Sequence, residues 1–152
     1  MKISVVTANY NGAEFLEQCL KSVISQRSDG FDLEYIVVDG ESTDGSLDII
    51  NRFKPEISQL IVGKDEGPFD AINKGLSKAS GDILCWLNSD DYYCSGALQR
   101  VADVMKERED AVLCFGHCSI VDKNGSEIRK GITRFKEFFY PFSSRFTLQC
   151  LN

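Results

Sequence analysis

Histidine occurs once in this chain, at His117, and proline only three times in 152 residues. No apolar run exceeds about half a dozen residues, where a membrane-spanning helix needs ~20. Met1-Lys2-Ile3-Ser4-Val5 runs straight into a strand-like stretch, without the long apolar segment and small-residue cleavage site of a signal peptide. The reading is a soluble protein of a reducing cytoplasm, with room for peripheral contact on the inner membrane face. None of the six cysteines forms a CxxC pair. Cys114 and Cys118 flank His117, but on an alternating strand the histidine faces away from both, so they read as buried thiols rather than zinc ligands. GxxxxGK[ST] is missing, which excludes a P-loop NTPase. GxGxxG is missing after the first strand, which excludes a dinucleotide Rossmann site.

Basic residues are also short. The net charge of −6 argues against a nucleic-acid binder. The charge is uneven: residues 1–127 hold 12 Lys/Arg against 22 Asp/Glu, and residues 128–152 hold five against one. An acidic body suits a metal-dependent site. The basic, aromatic stretch Arg129–Arg145 suits either an anionic surface or packing against further structure.

What is present is a foldable composition, 43% hydrophobic and 26% charged, of single-domain length. Ile3–Thr7 reads as a first strand. A helix follows from Ala13, with apolar residues at 15, 16, 19, 20, 23 and 24 on one stripe. Tyr35–Val38 is a second strand, and Leu47, Ile49, Ile50 and Phe53 mark a helix stopped by Pro55. Leu60–Val62 is a third strand, with a helix from Pro68 towards Gly81. Ile83–Leu87 is a fourth, which buries Trp86 in the core. A helix over 97–107 and a fifth strand at Ala111–Phe115 come next, and Asn124-Gly125 signals a hairpin. Strands that are continuously apolar and alternate with helices predict an α/β fold, a doubly wound, mostly parallel sheet with helices on both faces.

In such a sheet, ligands bind beyond the carboxyl ends of the strands. There the sequence sets Ala8-Asn9-Tyr10-Asn11, Asp39-Gly40-Glu41-Ser42-Thr43-Asp44, Lys64-Asp65-Glu66 and Asn88-Ser89-Asp90-Asp91. Three acidic loops on one edge predict a cation among them, and Asp90-Asp91 has the hard oxygens that Mg²⁺ or Mn²⁺ prefers. Alone, that pair reads as a turn capping the next helix; with its neighbours it reads as a site. A response-regulator receiver is excluded, because the acidic pair it needs after strand 1 is replaced by Ala8-Asn9-Tyr10.

Five motifs then carry a resemblance. Ser4–Asn11, Leu20–Gln26, Val37–Ser46, Asp70–Gly75 and Ser80–Asp91, in that order, resemble the family 2 glycosyltransferases over about residues 1–122. The resemblance implies a GT-A fold with a nucleotide-sugar-binding domain at 1–122. Residues 123–152 would then be a hairpin and basic, aromatic segment that begins an acceptor region. It also implies inverting transfer of a sugar from a nucleotide diphosphate sugar, a UDP-sugar first, to an acceptor saccharide or lipid-linked saccharide in surface polysaccharide or glycolipid synthesis.

On that resemblance Asp39 meets the nucleobase, with Thr7, Asn9, Tyr10, Ser42 and Asp65 in the same nucleotide pocket. Asp70, Lys74, Asn88, Ser89 and Asp90 approach the donor sugar and diphosphate, and Asp91 with Asp90 holds divalent Mn²⁺ or Mg²⁺. Asn88 stands where the motif commonly has Asp. Asn73 and Lys74 also suit an ordinary amphipathic helix, and Tyr92 and Tyr93 suit either sugar stacking or packing beneath the loop. The family's general base has no match here; Asp122 and Glu137 are the late carboxylates. The alternative is a truncated or non-catalytic module that binds the nucleotide sugar without transferring it.

Overall fold

A computed structural model describes residues 1–108, 110–114, 116, 118–122 and 125–128. Two compact units divide the chain, Met1–Ala102 and Asp103–Asn152.

The first unit alternates strand and helix: β1 (Lys2–Asn9), α1 (Ala13–Ile24), β2 (Asp32–Asp39), α2 (Ser46–Phe53), a 3-10 turn (Lys54–Glu56), β3 (Gln59–Val62), α3 (Pro68–Leu76) and β4 (Ile83–Asn88). The opening turn of α4 (Ala97–Glu107) closes it. The four strands are all parallel, in the order β3-β2-β1-β4. β1 lies between two neighbours because the chain returns past it after β3, which puts a topological switch point between β1 and β4.

Side chains alternate between the two faces of β1 and β2. Ile3, Val5, Tyr35 and Val37 pack with Leu16, Leu20 and Val23 of α1, Ile50 of α2 and Leu98 of α4. Val6, Ile36 and Val38 point the other way, against Ala71 of α3. Both faces are therefore covered over the central pair, as the apolar pattern requires, and the fold is α/β with helices on each side.

The edges of the sheet differ from expectation. Leu84 and Trp86 of β4 are 51% and 40% exposed. They share the α3 face through the pairs Ser4↔Leu84 and Val6↔Trp86, but α3 packs over β1 and β2 rather than over β4. Trp86 is thus not a core residue. Its strand is apolar on both faces, and only the face of Cys85 and Leu87 is packed.

At the opposite end of the sheet, Glu34 ties three segments together. Lys2 Nζ donates to its Oε1 at 2.8 Å, Ser80 N to its Oε2 at 2.7 Å, and the Ser4 hydroxyl also bonds to it.

In the second unit, Ile120–Val121 (β5) pairs antiparallel with Glu127–Ile128 (β6), and Gly125 between them has φ +77°. This is the expected hairpin, although Lys123 and Asn124 lie outside the described residues. No strand forms at 111–114, where Val112 is 97% exposed. Apolar content there finds no neighbouring ladder among the described residues. Phe115, His117, Glu137, Cys150 and the basic segment 129–145 also lie outside them.

Candidate functional site

The register sets the site. Asn9 is the Cα partner of Asp39, Asp39 of Val62, and Ala8 of Asn88. The four loops after these strands therefore leave from one edge of the sheet.

The first two loops are sewn together by side chains. Asn9 Nδ2 donates to Asp39 Oδ2 at 2.7 Å and to Ser42 Oγ at 3.2 Å. Ser42 N donates to Asp39 Oδ1, and its hydroxyl to Asp39 Oδ2, both at 2.8 Å. Asn11 N donates to Ser42 Oγ at 2.9 Å, and Thr43 N to Asn11 Oδ1 at 2.8 Å. Asp44 Oδ2 accepts from Ala13 N at 2.8 Å, so α1 is capped from another loop. Hydrogen bonds from the Ser46 hydroxyl and from the Ala13 amide hold the Asp44 carboxyl below its usual range. Asn11 and Glu41 adopt φ of +50° and +64°, backbone that L-residues rarely hold. The reciprocal bonds over-determine both loops, and that holds the strain.

This lacing changes where the expected residues stand. Thr7 is fully buried; its hydroxyl bonds to Tyr35 Oη at 3.0 Å, with Cys19 Sγ beyond at 3.8 Å. Burial pushes the Cys19 thiol up to about 12, against the hydrogen bond from Thr7 that lowers it. Asn9 and Asp39 are buried as well. Asp39 Oδ1 accepts one of these bonds and Oδ2 two, so Asn9 and Ser42 fix the orientation of its buried carboxylate. The same lacing occupies Ser42.

What faces outward is a narrow shelf. Tyr10 is 67% exposed. A Cβ on Gly40 would meet Asp65 Oδ2 at 2.7 Å and Tyr10 Cδ2 at 3.2 Å. The ring and the carboxylate therefore close on a stretch of bare backbone, and only glycine leaves room between them. Asp65 Oδ1 accepts from Gly67 N at 2.9 Å, which fixes its orientation. Beside it, Lys74 Nζ bonds to Asp70 Oδ2 and to Lys64 O, each at 2.7 Å. The Lys74 bond, with one from Glu66 N, holds the exposed Asp70 carboxyl low. These two residues brace the third loop.

In the fourth loop, Asn88 Nδ2 donates to Asp91 Oδ2 at 3.2 Å, and Asp91 N to Asn88 O at 3.1 Å. Burial, then the charge of Asp90, raises the Asp91 carboxyl above its usual range. Two neighbouring carboxylates of this kind fit a hard divalent cation. Among the described residues, no group of three His, Cys, Asp or Glu is gathered into a cage. Tyr93 packs partly buried on the core, and its amide donates to Ser22 Oγ at 3.0 Å. Gln26 of the α1 C-terminal end donates to Cys94 O at 3.0 Å and accepts from Leu98 N at 3.2 Å. Ser22 and Gln26 thus hang this loop from α1. Both lie in the motif Leu20–Gln26, where they are polar positions on an otherwise apolar stripe, but neither stands among the expected site residues.

The model of the family described as glycosyl transferase family 2 matches residues 4–150. This chain belongs to that family. Among its relatives in the family is a PGL/p-HBAD biosynthesis glycosyltransferase of Mycobacterium bovis, 37% identical over 117 residues, which cover 74% of this chain and 45% of the relative. Staphylococcus aureus TarS (residues 1–349), solved with UDP-GlcNAc, superposes with a TM-score of 0.72 at 26% identity, covering 86% of this chain and 37% of that one. A Pyrobaculum calidifontis mannosyltransferase, solved with GDP-Man and Mn²⁺, gives 0.61 at 27% identity over 73% of this chain and 33% of the other. The GT-A fold of this family 2 chain is thereby established, and the chain spans less than half the length of these relatives. Among the described residues, no helix is long and apolar enough to cross a membrane.

Proposed function

We propose that this chain carries the donor-binding part of a glycosyltransferase. The enzyme would move a sugar from a nucleotide diphosphate sugar to a hydroxyl of a saccharide or lipid-linked saccharide, with inversion, in surface polysaccharide or glycolipid synthesis. The observation that carries this is the meeting of the Tyr10–Gly40–Asp65 shelf and the Asp90–Asp91 pair on one sheet edge. An exposed aromatic ring and a carboxylate flanking bare glycine backbone suit a nucleoside, and an acidic pair on the same edge suits a metal-bound diphosphate.

In this reading Tyr10 stacks on the base while Asp65 accepts from a base N–H. Asp39, Asn9 and Ser42 keep the shelf rigid from below, and Thr7 anchors β1 into the core. Uridine is the base of choice, because TarS was solved with a UDP-sugar. Asp90 and Asp91 would hold Mn²⁺ or Mg²⁺, with Asn88 and Ser89 beside the diphosphate and Asp70 and Lys74 towards the sugar. When bound, the ion supplies Lewis-acid stabilisation of charge on the departing nucleotide. Asp91's own contribution is a carboxylate made costly to ionise by burial and by Asp90, a cost that a cation removes. The acceptor site and general base are assigned to the remainder of a protein as long as its relatives, working at the cytoplasmic face of a membrane.

Calorimetric titration with UDP, GDP and dTDP, each with and without Mn²⁺, tests this. Metal-dependent binding of UDP that disappears in Asp91→Ala is the expected result. A folded protein that binds none of the three would overturn the reading.

A further inference from the structure

Gly12 precedes α1 with φ −105°, a value open to any residue, so its identity is not set by backbone freedom. Space decides it instead. A Cβ at this position would stand 2.5 Å from Asn9 Oδ1 and 2.8 Å from Ser89 Oγ. Two oxygens from different loops, at the ends of β1 and β4, thus converge over one bare Cα. They are no further apart than those two lengths end to end.

Asn9 is only 2% exposed, yet its side chain is half satisfied. Its Nδ2 serves Asp39 and Ser42, while Oδ1 is buried without a hydrogen-bond partner. Turning the amide over would not help, since the carbonyl would then face the Asp39 carboxylate, acceptor against acceptor. A buried acceptor of this kind calls for a donor. Ser89 Oγ does not reach it as it stands, but Ser89 carries a hydroxyl donor on a single rotatable Cα–Cβ bond, and it is next in sequence to Asp90.

We propose that Asn9 and Ser89 form a polar joint across Gly12: the structure holds no bond between them, and a turn of the Ser89 side chain about Cα–Cβ closes one from its hydroxyl to Asn9 Oδ1. Ser89 and Asn9 are then positioning residues. The joint continues the chain Asp39–Asn9 to Ser89 and the acidic pair, so it ties the nucleoside shelf to the metal-holding loop at the switch point between β1 and β4. Its meaning for catalysis rests on the donor-site reading above, but its existence does not.

The test is a double-mutant cycle on the full 152-residue chain: wild type, Ser89→Ala, Asn9→Ala and both together. Urea unfolding without nucleotide reads the joint itself. Ser89→Ala lowers the midpoint when Asn9 is present and leaves it unchanged in Asn9→Ala. Equal shifts in both backgrounds overturn the joint. UDP titration in Mn²⁺ then reads its function: Ser89→Ala weakens binding about fivefold with Asn9 present, the lower end of ordinary coupling between sites, and not at all without it. Equal weakening in both backgrounds shows Ser89 acting on the ligand alone and overturns the positioning role. Failure of the wild type to bind UDP would remove the donor reading, while the urea cycle still decides the joint. Should Asn9→Ala not fold, Ser89→Thr against Ser89→Ala makes the comparison. Restoration by the retained hydroxyl supports the joint, and equal loss in both overturns it.

Discussion

Asn9 Nδ2 lies 2.7 Å from Asp39 Oδ2, and the two residues are also Cα partners at the ends of β1 and β2. The sheet ladder and the side-chain bond therefore enforce the same register at the same place. Beyond this pair the backbone turns through the left-handed conformations of Asn11 and Glu41, and each loop depends on the other to stay there. The first two loops of the site edge are built as one laced crest rather than as independent turns.

The gap over Gly40 should be intolerant of a methyl group. Gly40→Ala drives a Cβ into Asp65 Oδ2 and against the Tyr10 ring, and the flexible carboxylate gives way first. The expected result is a folded protein whose UDP affinity falls by about tenfold, equal to 1.4 kcal/mol. Titration against wild type measures it, and unchanged affinity would remove the shelf from the site.

Glu34 gives the fold an acid-sensitive tie. Burial raises its carboxyl, but bonds from Lys2, Ser4 and Ser80 outweigh this and hold it down to about 2. Since the unfolded value is about 4.3, the carboxylate stabilises the fold fully above that value. The contribution is lost as pH falls from there through the folded value. Glu34→Gln should cost about 1.5–3 kcal/mol at pH 7, as for hydrogen bonds to a charged group, and far less at pH 2. Urea midpoints at both pH values check the sign.

Tyr35 Oη and Thr7 Oγ1 satisfy one another in the core at 3.0 Å. Tyr35→Phe leaves the Thr7 hydroxyl with only the long contact to Cys19, and should cost about 1–2 kcal/mol. Thr7→Val in the same background should recover part of that loss, because the orphaned hydroxyl goes with it. Chemical unfolding of the two variants separates these outcomes.

Thiol chemistry should divide the cysteines by position. Cys19 is buried, with its thiol pushed up to about 12, and Cys94 is exposed. A thiolate-selective reagent at pH 8 should label Cys94 rapidly, and Cys19 only after unfolding. Peptide mapping of the labelled protein distinguishes them; rapid Cys19 labelling would show that the core around Tyr35 opens readily.

The sheet and its helices were legible in the sequence because parallel strands covered on both faces are apolar without alternation, as in Tyr35–Val38. Trp86 was misread for the same reason. An apolar strand announces that it can be buried on both faces, but a neighbour must arrive to do it, and α3 stops short of β4. The acidic loops were legible from their place after each strand. What could not be read was depth. Asp39 and Asp65 are similar as letters, yet one lies under the crest and the other on it, because Asn9 and Ser42 claim the first. Ser22 and Gln26 lie in the motif Leu20–Gln26, but their role was not legible, because their partners are backbone groups some 70 residues away and local patterns do not specify such pairings.

The strand order also sets a gradient of motion across the site. β1 is hydrogen-bonded on both sides, whereas β3 is four residues long and paired only with β2 among the described strands. Amide exchange should be slowest at Val5–Thr7 and faster at Leu60–Val62. Tyr10 is mounted on the slow strand and Asp65 follows the fast one. A nucleotide would therefore enter and leave by displacement of the Asp65 side, with the Tyr10 wall standing still, and the off-rate would be written in the opening of β3.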